Sequence, residues 1–187
     1  MRVDVPLPKA YLLLNHGPVT LVSSHAAERR NVMAASWAMP LDFDPPKVAV
    51  VIDRNTLTRE LVDASGEFAL NVPSRMLAAT VVEVGSASGR TVDKWSRFGI
   101  GALPAARIAA PLVAGCIAWL ECRVLAERPT EQRYDLFVAE VVAASADDRV
   151  FSAGRWHFGD EALRSLHYVA GGQFFATGEA LAVGATA

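Results

Sequence analysis

The apolar positions of this chain fall into short runs and alternations more often than into helical stripes. Residues 19–24 (Val-Thr-Leu-Val-Ser-Ser), 47–53 (Lys-Val-Ala-Val-Val-Ile-Asp) and 67–72 (Glu-Phe-Ala-Leu-Asn-Val) are rich in β-branched side chains and bordered by Gly, Pro or Asn. Such runs predict strands, because branched side chains pack well on a pleated surface. Between Cys116 and Glu127 the period is two: Cys116, Ala118, Leu120, Cys122, Val124 and Ala126 share one face, while Glu121, Arg123 and Glu127 share the other with Ile117, Trp119 and Leu125. That alternation predicts a strand with one face in the core. A further β-like run spans 134–144, and the polar, Pro-containing stretch 127–133 between the two predicts an antiparallel hairpin.

Helical periodicity is scarcer. Leu57, Leu61 and Val62 recur at i, i+4 and i+5 behind Asn and Thr residues suited to capping, and Gly66 follows, which predicts a helix over 58–64. A second helix is expected over 75–84, with Met76, Ala78, Ala79 and Val82 along one side, and a short third over 93–98 ended by Gly99. Several antiparallel strands with helices inserted between them, and no βαβ rhythm, predict a mainly β fold, a barrel decorated by helices. No repeat, low-complexity tract or linker divides the chain, so a single domain over 1–187 is expected, with an Ala/Gly-rich tail at 178–187 prone to fraying.

Composition narrows the partners. At 187 residues, 52% hydrophobic and only 20% charged, with a mean hydropathy of +0.24, the chain can fill a core and is not disordered. A net charge of −2 without a basic stripe points away from nucleic acid and anionic membranes. The longest stretch free of charged side chains, Ala10–Ala27, contains Asn15, His16, Gly17, Pro18, Ser23 and Ser24 and is unsuited to crossing a bilayer. No secretory leader is visible at the N-terminus, so the cytoplasm is expected. Cys116 and Cys122 lie on one strand about 20 Å apart, too far for a disulfide, and read as buried small hydrophobes. His16, His25, His157 and His167 have no metal-site spacing, and no nucleophile elbow or activated cysteine is evident. No metal and no catalytic side chain is therefore assigned.

Three segments carry candidate chemistry. Asn31-Val32-Met33-Ala34-Ala35-Ser36-Trp37 combines small residues, which let a flat ligand lie against strand backbone, with an apolar wall at Trp37; its bland alternative is an edge strand with a core Trp. Asp53-Arg-Asn-Thr-Leu-Thr58 joins a strand to a helix, where free N–H groups, Arg54 and the hydroxyls of Thr56 and Thr58 suit a phosphate, or else a routine cap with a solvated Arg. Gly85-Ser-Ala-Ser-Gly-Arg-Thr-Val-Asp-Lys94 is a loop of donors with two cations, neither a Walker loop nor a dinucleotide fingerprint, suited to an anion or simply to the surface. A site for a flat anionic ligand without acid–base machinery suits a cofactor that carries its own chemistry.

Taken together, four pieces resemble the flavin reductase-like family of FMN-binding split β-barrel proteins, which includes NAD(P)H:flavin oxidoreductases and flavoredoxins. They are Gly17-Pro-Val-Thr-Leu-Val-Ser-Ser leading to Asn31-x5-Trp37 and Asp44-Pro-Pro; Glu67-Phe-Ala-Leu-Asn-Val-Pro73; Ser88-Gly-Arg-Thr-Val-Asp-Lys94, most like the flavoredoxin branch; and Leu166-His-Tyr-Val-Ala-Gly-Gly-Gln-Phe-Phe175. The resemblance implies a homodimer of split barrels with FMN near the subunit interface. It also implies that Asn31 through Trp37 run beside the isoalloxazine and ribityl chain, Ser36 as a polar contact and Trp37 flanking the ring. Asp53, Arg54 and Thr58 would help seat the phosphate, and Ser88, Arg90 and Lys94 would form a second anion clamp, with Lys94 foremost. Family members often carry a glycine in the turn before the Asn, where this chain has His25-Ala-Ala-Glu-Arg-Arg30, so access to the flavin or nucleotide preference would differ. His167 and Tyr168 lie where they would approach the flavin, or else serve the core or the interface.

The activity this implies is hydride transfer from NAD(P)H to flavin, with electrons passed on to a second flavin, a partner monooxygenase or another acceptor. The alternative is a flavoredoxin-type electron-transfer protein that keeps its FMN and turns over NAD(P)H negligibly; a third is a barrel that binds another ligand or none.

Overall fold

The computed structural model describes residues 1–184; the last three residues of the expected frayed tail, 185–187, lie outside the described residues. Eight strands form one antiparallel sheet: β1 (Arg2–Asp4), β2 (Thr20–Ala26), β3 (Arg29–Ala35), β4 (Ala38–Phe43), β5 (Pro46–Val51), β6 (Glu67–Pro73), and the long β9 (Cys116–Leu125) and β10 (Leu136–Asp147). Between β6 and β9 lie the short pair β7 (Ala102–Leu103) and β8 (Leu112–Val113). After β10 come two hairpins, β11 (Phe151–Ser152) with β12 (Arg155–Trp156), and β13 (Leu166–Ala170) with β14 (Gln173–Ala176). The sheet runs β3-β2-β6-β9-β10-β5-β4. β10 holds β9 on one edge; on its other edge the first half pairs with β5 and the last residues pair with β1. Among the described residues β3 bonds only to β2, so its outer edge is free.

The α-helices among the described residues are α1 (Leu57–Ser65), α2 (Ala78–Ser86), α3 (Lys94–Arg97) and α4 (Arg128–Tyr134). α1 starts on Thr56, whose hydroxyl accepts the Arg59 amide, and stops at Gly66 with φ of 70°, the left-handed geometry glycine adopts most readily. α3 is capped by the Asp93 carboxylate on the Trp95 amide and is followed by Gly99 at φ 61°. α4 occupies the connection between β9 and β10, so the expected hairpin has a helical turn within it. None of the helices is long and apolar enough to cross a membrane among the described residues.

Two expectations need correction. The segment 75–84 begins as a tight 3-10 turn, Arg75–Leu77, and α2 follows only from Ala78. The cause is tertiary: the Arg75 amide donates to the Arg164 carbonyl, and Ser74 bridges to Ser165. This turns the phase of the helix, so that Val81 and Val84 are buried while Met76 and Val82 are exposed. Along β9 the alternation does not separate core from solvent, because residues 116–122 are buried on both faces. One face meets the barrel interior with Leu14, Val50, Phe68, Leu120 and Phe137; the other is covered by α2, α3 and the β7–β8 region through Val84, Trp95, Leu112 and Trp119. Glu121 tolerates this burial because its carboxylate accepts the amides of Ala106 and Arg107 at 2.8 and 2.6 Å. Both cysteines are buried free thiols on β9, and burial raises their pKa values.

Candidate functional site

The free edge of β3 faces α2 across a cleft, and the strands, helices and loops around it set which side chains reach in. At one end, a cavity of about 510 Å³ is walled by Val19, Val81, Val82 and the β13–β14 residues Tyr168 and Phe174, with Ala34 and Gly85 on its floor. At the other end, a cavity of about 270 Å³ is walled by Asn31, Met33, Asn55, Thr56, Leu57, Ser88 and Lys94. Ala34 and Gly85 border both, so the two form one cleft, apolar at one end and polar at the other. Gly85 is close to Ala34: a Cβ placed there would lie 3.5 Å from the Ala34 methyl, and a larger side chain would fill the waist.

The polar end is built for an anion. The nine-residue α1 points its N-terminus there through Asn55, Thr56 and Leu57; the Asn55 and Thr56 amides are held by Asp53, which leaves the Leu57 amide and the positive end of the helix dipole for a ligand. Opposite stands Lys94, 4% exposed. Its ammonium donates to the Val84 carbonyl at 2.7 Å and, among the described residues, has no carboxylate partner. Burial lowers its pKa from 10.5 to about 8, so at neutral pH it is still charged. A buried cation held by one carbonyl lacks its counter-charge, and a cavity beside it is where a ligand anion would supply one.

The structure sorts the sequence-derived candidates. Asn31, Met33, Ala34, Ser36, Ser88 and Lys94 line the cleft. Val32 and Ala35 turn their side chains into the core and can offer only the backbone of the free β3 edge. Trp37 is neither a core residue nor a wall of this cleft; it is 74% exposed beyond the end of β3. Thr58 is fully buried and its hydroxyl accepts from the Asn31 side-chain Nδ2 at 2.9 Å, so it positions Asn31 and does not face the cleft itself. Asp53 accepts the Asn55 amide at 2.7 Å and shapes the turn. Arg54 is drawn away by Asp135, at 3.1 Å, and by the Gln132 carbonyl. Arg90 reaches out of the cleft to Glu60 at 2.8 Å and to the Asn55 carbonyl. His167 bonds the Gly17 carbonyl and Thr177 and belongs to the packing of the β13–β14 hairpin, whereas Tyr168 enters the apolar end. Leu57, Gly85 and Gly89 of the cleft lie within the two candidate anion segments, whereas Val81 and Val82 of α2 belong to none of the candidate segments and reach the cleft only because α2 packs beside β3.

The model of the flavin reductase like domain matches residues 14–170. This chain belongs to the flavin reductase-like family. The Escherichia coli K12 protein YddH is 42% identical over 97% of this chain and 98% of its own length. An FMN-binding domain of a flavin reductases-like enzyme from Shewanella baltica OS155 shares 45% identity and superposes with a TM-score of 0.96, covering 98% of this chain and 97% of that one. The flavoredoxin of Desulfovibrio vulgaris (Miyazaki F) is 25% identical at a TM-score of 0.77, covering 91% and 92%. The family fold is the mainly β split barrel, which agrees with the free β3 edge and the divided partnership of β10. The cleft described above therefore lies within a flavin reductase-like domain.

Proposed function

We propose that this flavin reductase-like protein binds FMN in the β3–α2 cleft and acts as an NAD(P)H:flavin oxidoreductase. The observation that carries the reading is Lys94, a buried ammonium without a carboxylate partner among the described residues, set across a polar cavity from the N-terminus of α1 and continuous with a more apolar cavity of about 510 Å³. Lys94, Ser88 and the Leu57 amide would hold the phosphate. The unpaired backbone of β3 would meet the polar edge of the ring, and Val19, Val81, Tyr168 and Phe174 would exclude water from its faces. Bound FMN would supply the redox chemistry, accepting a hydride from NAD(P)H with a proton from solvent, a reaction that depends on ring proximity and orientation. The side chains accordingly bind and orient, and no catalytic acid or base is assigned to them.

The protein should act as a homodimer. Trp37, Met39, Leu41 and Phe43, spaced two apart on and just before the edge strand β4, are 74%, 54%, 49% and 63% exposed. An apolar stripe on a sheet edge invites a partner, and a second copy of the chain fits the family reading.

The deciding experiment is the absorption spectrum of the purified protein with added FMN, followed by NADH and NADPH oxidation with excess flavin. A perturbed two-band flavin spectrum and turnover with either nucleotide are expected. Absence of FMN binding would overturn the site; binding without turnover by either nucleotide would replace the reductase by a flavoredoxin-type carrier.

A further inference from the structure

A separate cavity of about 430 Å³ lies between the end of β12 and the chain that follows β14, and it shares no wall residue with the cleft. Trp156 and Phe158 form its apolar side, their rings stacked with centroids 5.2 Å apart and an interplanar angle of 14°. Both pack against the barrel core, and the Trp156 indole donates to the Leu12 carbonyl at 2.9 Å, so this wall is fixed in place. Arg164 supplies the charge. Its side chain is 24% exposed, and its Nε is buried with no hydrogen-bond partner among the described residues. The nearest carboxylate oxygen, Glu161 Oε1, is 4.0 Å from Nη2, beyond hydrogen-bond reach, and Glu161 already holds Arg75 at 3.2 Å. Glu179 stands exposed on the rim and lies within ion-pair distance of no cation among the described residues. His16 also borders the cavity; burial keeps it neutral, with Nε2 on the Ser165 hydroxyl at 2.9 Å, so it adds no second cation. His157 is engaged by the Ser152 hydroxyl at 2.9 Å.

A guanidinium largely withdrawn from water without an acceptor carries an unmet desolvation cost, which a ligand acceptor in the cavity would offset. One planar fork matches one carboxylate through two parallel N–H···O bonds, and a single positive charge suits a monoanion better than a phosphate. The stacked rings beside it favour a flat aromatic body over an aliphatic one. We propose that this cavity is a binding site for a small aromatic carboxylate, its acid group on the Arg164 fork and its ring against Trp156 and Phe158. The site is independent of the flavin reading, because no residue of the cleft takes part in it.

The probe is benzoate, titrated into the full-length protein and followed by calorimetry and indole fluorescence. It should bind with a Kd of about 1 mM or tighter, and Arg164→Gln should weaken it about tenfold or more while leaving the melting temperature unchanged. Two further ligands test the unaltered chain without any variant: benzamide, the same shape without charge, should bind about tenfold more weakly, and cyclohexanecarboxylate, the same charge without a π face, should also bind more weakly than benzoate. Saturating FMN should not change benzoate affinity. Equal binding of benzoate and benzamide overturns the proposal, as does unchanged affinity in Arg164→Gln. Displacement of benzoate by FMN also overturns it, by placing the acid in the cleft. Glu179→Gln covers the remaining case: no binding to the parent or to this variant up to about 10 mM refutes the site, and binding to the variant alone makes Glu179 the native partner of Arg164 and refutes it equally.

Discussion

Replacing Lys94 with Met separates a ligand-binding role from a structural one. The methionine fills a similar volume but removes the charge and its hydrogen bond to the Val84 carbonyl. A charge-assisted bond to phosphate contributes about 1.5–3 kcal/mol, so FMN affinity should fall about tenfold to a hundredfold. Stability of the ligand-free protein should move the other way. The gap between the ordinary 10.5 and about 8 corresponds to about 3 kcal/mol against the buried charge. Because the ammonium borders an open cavity, screening reduces this to about 1–2 kcal/mol, and the lost bond to Val84 offsets about half of that. The variant should therefore be as stable as the parent or more stable by about 1 kcal/mol. The pH dependence has a defined sign. Lys94 holds its proton less well folded than unfolded, so between about 8 and 10.5 the unfolded chain binds more protons and apo stability rises with pH. Over the same window FMN affinity should fall in the parent, as the cation is lost, and stay flat in the variant. FMN titration by fluorescence quenching at pH 7 and 9, with urea melts of both apo proteins, measures all of this. Unchanged FMN affinity would refute the assignment, and so would a loss of apo stability of 2 kcal/mol or more, which would make Lys94 a structural residue.

Other perturbations test the surroundings. Gly89→Ala places a methyl on the Asn31 carboxamide and disturbs its buried bond to Thr58; a destabilisation of about 1–3 kcal/mol with weaker FMN binding is expected, and an unchanged melt would show that the loop relaxes freely. His16 is held neutral by burial and by His167, with its pKa lowered to about 4. As pH falls from 6.5 toward 4 the unfolded chain takes up the proton first, so stability should drop by up to about 3 kcal/mol in the parent and stay level in His16→Gln, as followed by Tm against pH. Met39→Glu with Leu41→Glu should shift the mass from twice 20.0 kDa to 20.0 kDa in light scattering; a parent already at 20.0 kDa would dismiss the dimer.

Much of this molecule was legible in local pattern. The strands near 20–26, 46–51 and 67–73, the capped helix ending at Gly66 and the short helix between Asp93 and Gly99 follow from branched runs, caps and left-handed glycines, which act within a few residues. The Gly/Ser loop ending in Lys94 was identifiable as an anion candidate for the same reason. Arg54 shows the limit. Its neighbours Asn55, Thr56 and Leu57 face the cleft while Arg54 turns to Asp135, a residue 81 positions later that no local pattern reveals.

The chain by itself determined which segments extend, which coil and where donors cluster, because propensity and periodicity are short-range. Only the tertiary structure decided that β3 is an edge with free backbone, that both faces of β9 are covered, and that Lys94 is buried with no counter-ion among the described residues. Those facts depend on which distant elements pack together, and desolvation and charge pairing are set by that packing alone.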